Sequence, residues 1–133
     1  MIRTLIFLAA LLGFVGVGLG AFGAHGLAAY FAANPDSANT YHTATQYHMY
    51  HVLALLAVAL LEMLRTYAGV PLQERWLRYA GWLFVTGIVL FSGSLYVLAV
   101  FQLRFMGAIA PLGGVAFLLG WVFVGLSARS ITK

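Results

Sequence analysis

Residues 79–103 read YAGWLFVTGIVLFSGSLYVLAVFQL, 25 positions without an Asp, Glu, Lys or Arg. A helix rises about 1.5 Å per residue and the bilayer hydrocarbon is about 30 Å thick, so about 20 apolar residues cross it. Three more charge-free runs share this property: 32 residues at 4–35, 25 at 37–61 and 24 at 105–128. The 133-residue chain is 63% hydrophobic and 8% charged, against about 25% charged in an ordinary soluble domain. A soluble fold is excluded. The sequence predicts an all-α integral membrane protein, one domain over residues 1–133, with four transmembrane helices at about 4–28, 35–66, 79–101 and 107–128 in a bundle.

Formal net charge is +4, and position accounts for it. Arg3, Arg65, Arg75, Arg78, Arg129 and Lys133 fall on one side of the four spans, Arg104 alone on the other. Basic residues concentrate on the cytoplasmic side of membrane proteins, so both termini and the 65–78 loop are expected there, in a multi-pass protein of a bacterial inner membrane. The bilayer is thus the first partner, and no basic patch remains for DNA or RNA. Arg3 before an apolar run, with Ala21-Phe22-Gly23-Ala24 loosely resembling a small-residue cleavage site, suggests a secretion signal. The run from Leu5 to Ala24 nevertheless exceeds the usual signal core of about 7–15 residues, and it is read as a span.

The chain has no cysteine, which removes disulfides, iron–sulfur ligation, thiolate nucleophiles and sulfur-rich zinc sites. No nucleophile–base–acid set, phosphate-cradling glycine loop or pair of carboxylates is present either, so catalysis is not expected.

In the first span Ala9, Gly13, Gly16, Gly20 and Gly23 fall on one helical stripe. Lipid tails gain nothing from glycine, whereas a neighbouring backbone approaches it closely, so this face should meet protein. Leu11, Phe14, Gly18, Ala21 and His25 line the opposite side, giving this helix neighbours on both. Asn34-Pro35-Asp36 reads as a helix start, so the second helix should begin before the membrane does, among Tyr30, Tyr41, Tyr47 and Tyr50. Gly69-Val70-Pro71 and the charges around it mark 65–78 as a loop. The third helix has a small-residue seam at Ala80, Gly87 and Ser94, and the fourth opens with Pro111 beside Gly113 and Gly114.

Four side chains join ligand ability to near-neutral proton exchange: His25, His42, His48 and His51. All four belong to the end opposite the termini, with His48 and His51 only about 6–10 Å past Ala44, where the second helix is expected to enter the membrane. Tyr41, Ala44, His48, His51, Leu55, Val58, Glu62 and Arg65 share one seam of that helix. Polar side chains are costly in lipid, so the seam should face inward. Glu62 and Arg65, three apart, read as an interfacial ion pair. The imidazoles admit three roles: hydrogen bonds that fix packing, a zinc or copper site from His25, His48 and His51, or a bis-histidine haem with Gly18 or Gly26 leaving room. A divalent metal would find only Asp36 nearby to offset its charge.

Gly20-Ala21-Phe22-Gly23-Ala24-His25, Tyr47-His48-Met49-Tyr50-His51, Leu90-Phe91-Ser92-Gly93-Ser94-Leu95-Tyr96, and Pro111-Leu112-Gly113-Gly114 with Gly120-Trp121 together resemble a family of small bacterial inner-membrane proteins. It is known as domain of unknown function 423, and the animal transmembrane protein 256 is a relative. The resemblance covers nearly the whole chain. It implies four transmembrane helices and brings no established reaction. It also implies histidine at 25 and 51 and tyrosine at 47, with glutamine frequent at position 48, which weighs against a metal site needing both His48 and His51. His42 looks peculiar to this chain. His25 and His51 become the leading functional pair, with Tyr47 and Ser92 or Ser94 as hydrogen-bond partners.

The function expected is a non-enzymatic binding or assembly module that forms a homo-oligomer or packs on a larger membrane complex. Its seams would be Gly13, Gly16, Gly20, Gly23, Gly87, Gly113 and Gly114. The alternatives are a small oligomeric transporter or channel, since four helices can hardly enclose a pore alone, and a histidine-based metal or haem protein.

Overall fold

A computed structural model describes residues 1–130. Helix α1 spans Ile2–Gly26, its last turn, Phe22–Gly26, being wound as π-helix. A short α2, Ala28–Ala33, turns the chain into α3, Pro35–Tyr67. Helix α4 runs Glu74–Phe101 with a π turn at Ile88–Ser92, and α5 runs Met106–Ser127 into a 3₁₀ turn at Ala128–Ser130. Lys133, counted among the basic residues of one side, lies outside the described residues.

All four long helices are long and apolar enough to cross a membrane. Helix α4 starts earlier than expected. Residues 74–78 are helical, with Glu74 in the first turn where it complements the helix dipole, and the Gln73 amide donates to the Ser127 carbonyl at 3.0 Å. Charge marks where hydrocarbon stops, which is not where a helix has to stop.

Helices α3 and α4 form the centre, with α1 against α3 and α5 against α4. Their core is Leu5, Ala9, Val52, Leu55, Val58, Leu77, Ala80, Phe84, Ile88 and Phe117. The small stripe of α1 meets α3 in antiparallel register: Gly13 faces Val52, Gly16 faces His48 and Met49, Gly20 faces Thr45 and Gly23 faces Tyr41. Tyr41 is therefore buried against α1, and its hydroxyl donates to the Leu19 carbonyl at 2.6 Å, just before the π turn. The second stripe of α1 does not have the neighbour expected for it. Phe14 is 80% exposed, and nothing lies within 4 Å of a Cβ built on Gly18. One helix in contact with one partner buries one stripe.

Between α4 and α5 the seam is tighter. Gly87 makes room for the Phe117 ring, and Gly120 for the Phe84 ring, 2.6 Å from where a Cβ would stand. Gly125, five residues on, faces open space. Gly120→Ala is expected to lower the thermal unfolding midpoint in detergent by overpacking, at a cost of about 1–3 kcal/mol. Gly125→Ala should raise it, since Ala is favoured over Gly in a helix by about 1 kcal/mol. Equal shifts would refute the interhelical contact.

At the end carrying both termini, the Arg65 guanidinium grips Glu62 with two hydrogen bonds, 2.9 and 2.7 Å, and reaches Glu74 of α4 at 3.2 Å. The predicted ion pair is present. It also ties α3 to the start of α4.

Candidate functional site

The polar interior is built on one face of α3. His48 and His51 are almost fully buried, 3% and 6% exposed. Gly16 of α1 is what admits His48, whose ring lies 3.3 Å from the space a Cβ would need. His48 Nε2 is 2.9 Å from the Leu12 carbonyl of α1, and its Nδ1 is 3.3 Å from the Tyr96 hydroxyl of α4. A carbonyl only accepts, so Nε2 carries the proton and Nδ1 takes a hydrogen bond from Tyr96.

His51 has the other tautomer. Its Nδ1 sits 2.7 Å from the Tyr47 carbonyl one turn back, and the Trp121 indole N–H of α5 points at Nε2 across 3.3 Å. Indole only donates, so Nε2 is the acceptor and Nδ1 holds the proton. The ring stacks on Phe117, centroids 3.4 Å apart and planes 9° off parallel. The two imidazoles thus spend all four nitrogens inside the protein and link α3 to α1, α4 and α5.

The height of this network differs from the sequence expectation. His51 stacks on Phe117, near the middle of the 22-residue α5, and His48 meets Leu12 near the middle of α1. Helix α3 has 33 residues, about 50 Å at helical rise, so its early turns stand outside the hydrocarbon and carry both histidines to mid-bundle.

Among the candidates named from sequence, the fold brings Tyr47, His48 and His51 together and keeps His25 apart. His25 is exposed in the π turn of α1. Among the described residues no three His, Asp or Glu side chains gather as metal ligands. Tyr47 serves His51 through its backbone carbonyl, and its ring packs on Phe91 at 4.9 Å. Ser94 donates to the Phe91 carbonyl at 3.0 Å, while the Ser92 hydroxyl, fully buried in the π turn, has no hydrogen-bond partner. Neither serine bonds a histidine. The partners missed from sequence are Tyr96, Trp121 and Phe117. Tyr96 and Trp121 stand inside the motifs quoted above, yet nothing local tells which histidine each would reach.

Beside His51 a groove of about 480 Å³ opens between α3, α4 and α5, bounded by Tyr47, Phe91, Pro111, Phe117 and Trp121. Its lining is aromatic and apolar, with the His51 edge as its buried polar element.

Fold and site together define an all-helical, four-span membrane protein with a closed histidine network at its centre. The chain belongs to the family described as protein of unknown function (DUF423), whose model matches residues 19–114. It is 46% identical over 127 residues to the UPF0382 membrane protein YwdK of Bacillus subtilis, covering 95% of this chain and 96% of that one. It is 42% identical to the UPF0382 membrane protein SSP2132 of Staphylococcus saprophyticus, covering 97% and 99%. To the UPF0382 inner membrane protein YgdD of Escherichia coli it is 37% identical, covering 98% and 93%. No solved structure gives a significant match.

Proposed function

We propose that this inner-membrane protein is a non-enzymatic assembly module, with both termini cytoplasmic, that self-associates through the uncovered stripe of α1. The observation that carries this is a contrast within the bundle. Its buried imidazoles are saturated by Leu12, Tyr47, Tyr96 and Trp121, whereas α1 leaves Leu11, Phe14, Gly18, Ala21 and His25 exposed along one face. Zinc, copper or haem iron needs an imidazole nitrogen that is free, and the buried His48 and His51 have theirs engaged. A histidine turned toward lipid is costly. A second copy laid on the stripe would cover His25, and the small Gly18 and Ala21 would let the two backbones approach.

The absence of cysteine makes the test direct. Phe14→Cys and Ala21→Cys, oxidised in native membranes, are expected to give a species of twice the mass. Leu118→Cys, on the exposed face of α5, should stay single. Equal cross-linking from both helices, or none from α1, would reject the interface. In the same background Arg75→Cys should resist a membrane-impermeant maleimide in intact cells, and labelling there would invert the orientation.

A further inference from the structure

The end of the bundle opposite the termini holds a second cavity, of about 470 Å³, lined by Asn34, Asp36, Ser37, Thr40, Gln102 and Arg104 over a floor of Leu98 and Ala99. Asp36 is the only charged residue between 4 and 61, and Arg104 the only one between 79 and 128. The fold brings these two together from α3 and the α4–α5 loop, 68 positions apart in sequence, to line one space. They do not neutralise each other: among the described residues the ion pairs are those of Arg65 with Glu62 and Glu74. The walls are held in place. Tyr30 of α2 donates to the Ala99 carbonyl at 3.1 Å and accepts from Gln102 at 3.2 Å, and Asn34 donates to the Tyr30 carbonyl at 2.9 Å.

We infer that this cavity binds the headgroup of a zwitterionic phospholipid of the phosphatidylethanolamine type, its phosphate on Arg104 and its ammonium on Asp36. One positive and one negative group in a shared space suit a ligand carrying one of each. A phosphatidylglycerol headgroup would satisfy Arg104 with its phosphate but bring only a neutral glycerol to Asp36, with no cation to offset that carboxylate. The cavity lies at the ends of the spans, where headgroups begin, and Leu98 and Ala99 from the apolar end of α4 complete its lining.

The test is native mass spectrometry of the full chain released from micelles containing equal phosphatidylethanolamine and phosphatidylglycerol with matched acyl chains. Wild type should retain the zwitterionic lipid in preference, by about two- to fivefold for each exposed ion pair. Asp36→Asn should remove the preference while still retaining lipid, and Arg104→Gln should reduce retention of both. Both variants change exposed side chains, and unaltered thermal unfolding checks that they fold. Equal retention by wild type, or an unchanged ratio in both variants, would overturn the site. Displacement by millimolar soluble phosphoethanolamine would overturn the assignment to a lipid.

Discussion

Gly113→Ala is expected to destabilise the bundle by about 3 kcal/mol, the upper part of the range for overpacking a filled interior, read as a lower unfolding midpoint in detergent. A methyl at this position would stand 2.8 Å from the Leu90 carbonyl carbon and from the Phe91 Cα, and would overlap the Phe91 amide nitrogen. These are backbone atoms of the π turn in α4. A side chain in the way can change rotamer; a helix backbone can yield only by moving the helix. Because α5 also carries Phe117 and Trp121, moving it apart from α4 should disturb both contacts of His51. The neighbouring Gly114 is the control, since its nearest atoms are on the Phe91 ring at 3.8 Å, ordinary contact distance. Gly114→Ala should leave stability unchanged or raise it by up to about 1 kcal/mol, as Ala is favoured over Gly within a helix. Similar losses at the two positions would refute the backbone contact.

His48→Leu should cost about 2 kcal/mol. It removes two interhelical hydrogen bonds, each worth about 0.6 kcal/mol on average and at most about 1.7 within a membrane, and leaves the Tyr96 hydroxyl without its acceptor. His48→Gln should recover most of that loss. An amide, like a neutral imidazole, offers a donor for the Leu12 carbonyl and an acceptor for Tyr96. Chemical unfolding of wild type and both variants under one condition decides the matter. If Gln were as damaging as Leu, a role peculiar to imidazole would replace the hydrogen-bonding one.

Much of the fold was legible in the chain. The intervals between charges gave the four spans, and the stripe Gly13, Gly16, Gly20 and Gly23 marked the face of α1 that meets protein. The alternation through His48, His51 and Glu62 marked the inner face of α3. The site was less legible. Position along the spans places His25 at the same end as His48 and His51, yet it sits on the exposed side of its own helix. Ser92 and Ser94 offer hydroxyls in the sequence, while Tyr96 and Trp121 hold the hydrogen bonds to the histidines. The two π turns left no mark that helical periodicity could separate from ordinary helix.

What the sequence determined by itself was solvent: which segments lie in hydrocarbon and which face of a helix lipid would reject. Those quantities add residue by residue along one helix, so composition and periodicity are enough to read them. Only the tertiary structure decided partners and depth. Which carbonyl His48 meets, and where along α5 the ring of His51 lies, depend on the rotation and axial shift of one helix against another. Those are set by a few close contacts, such as Gly113 against the backbone of Phe91, between residues with no local relation to each other.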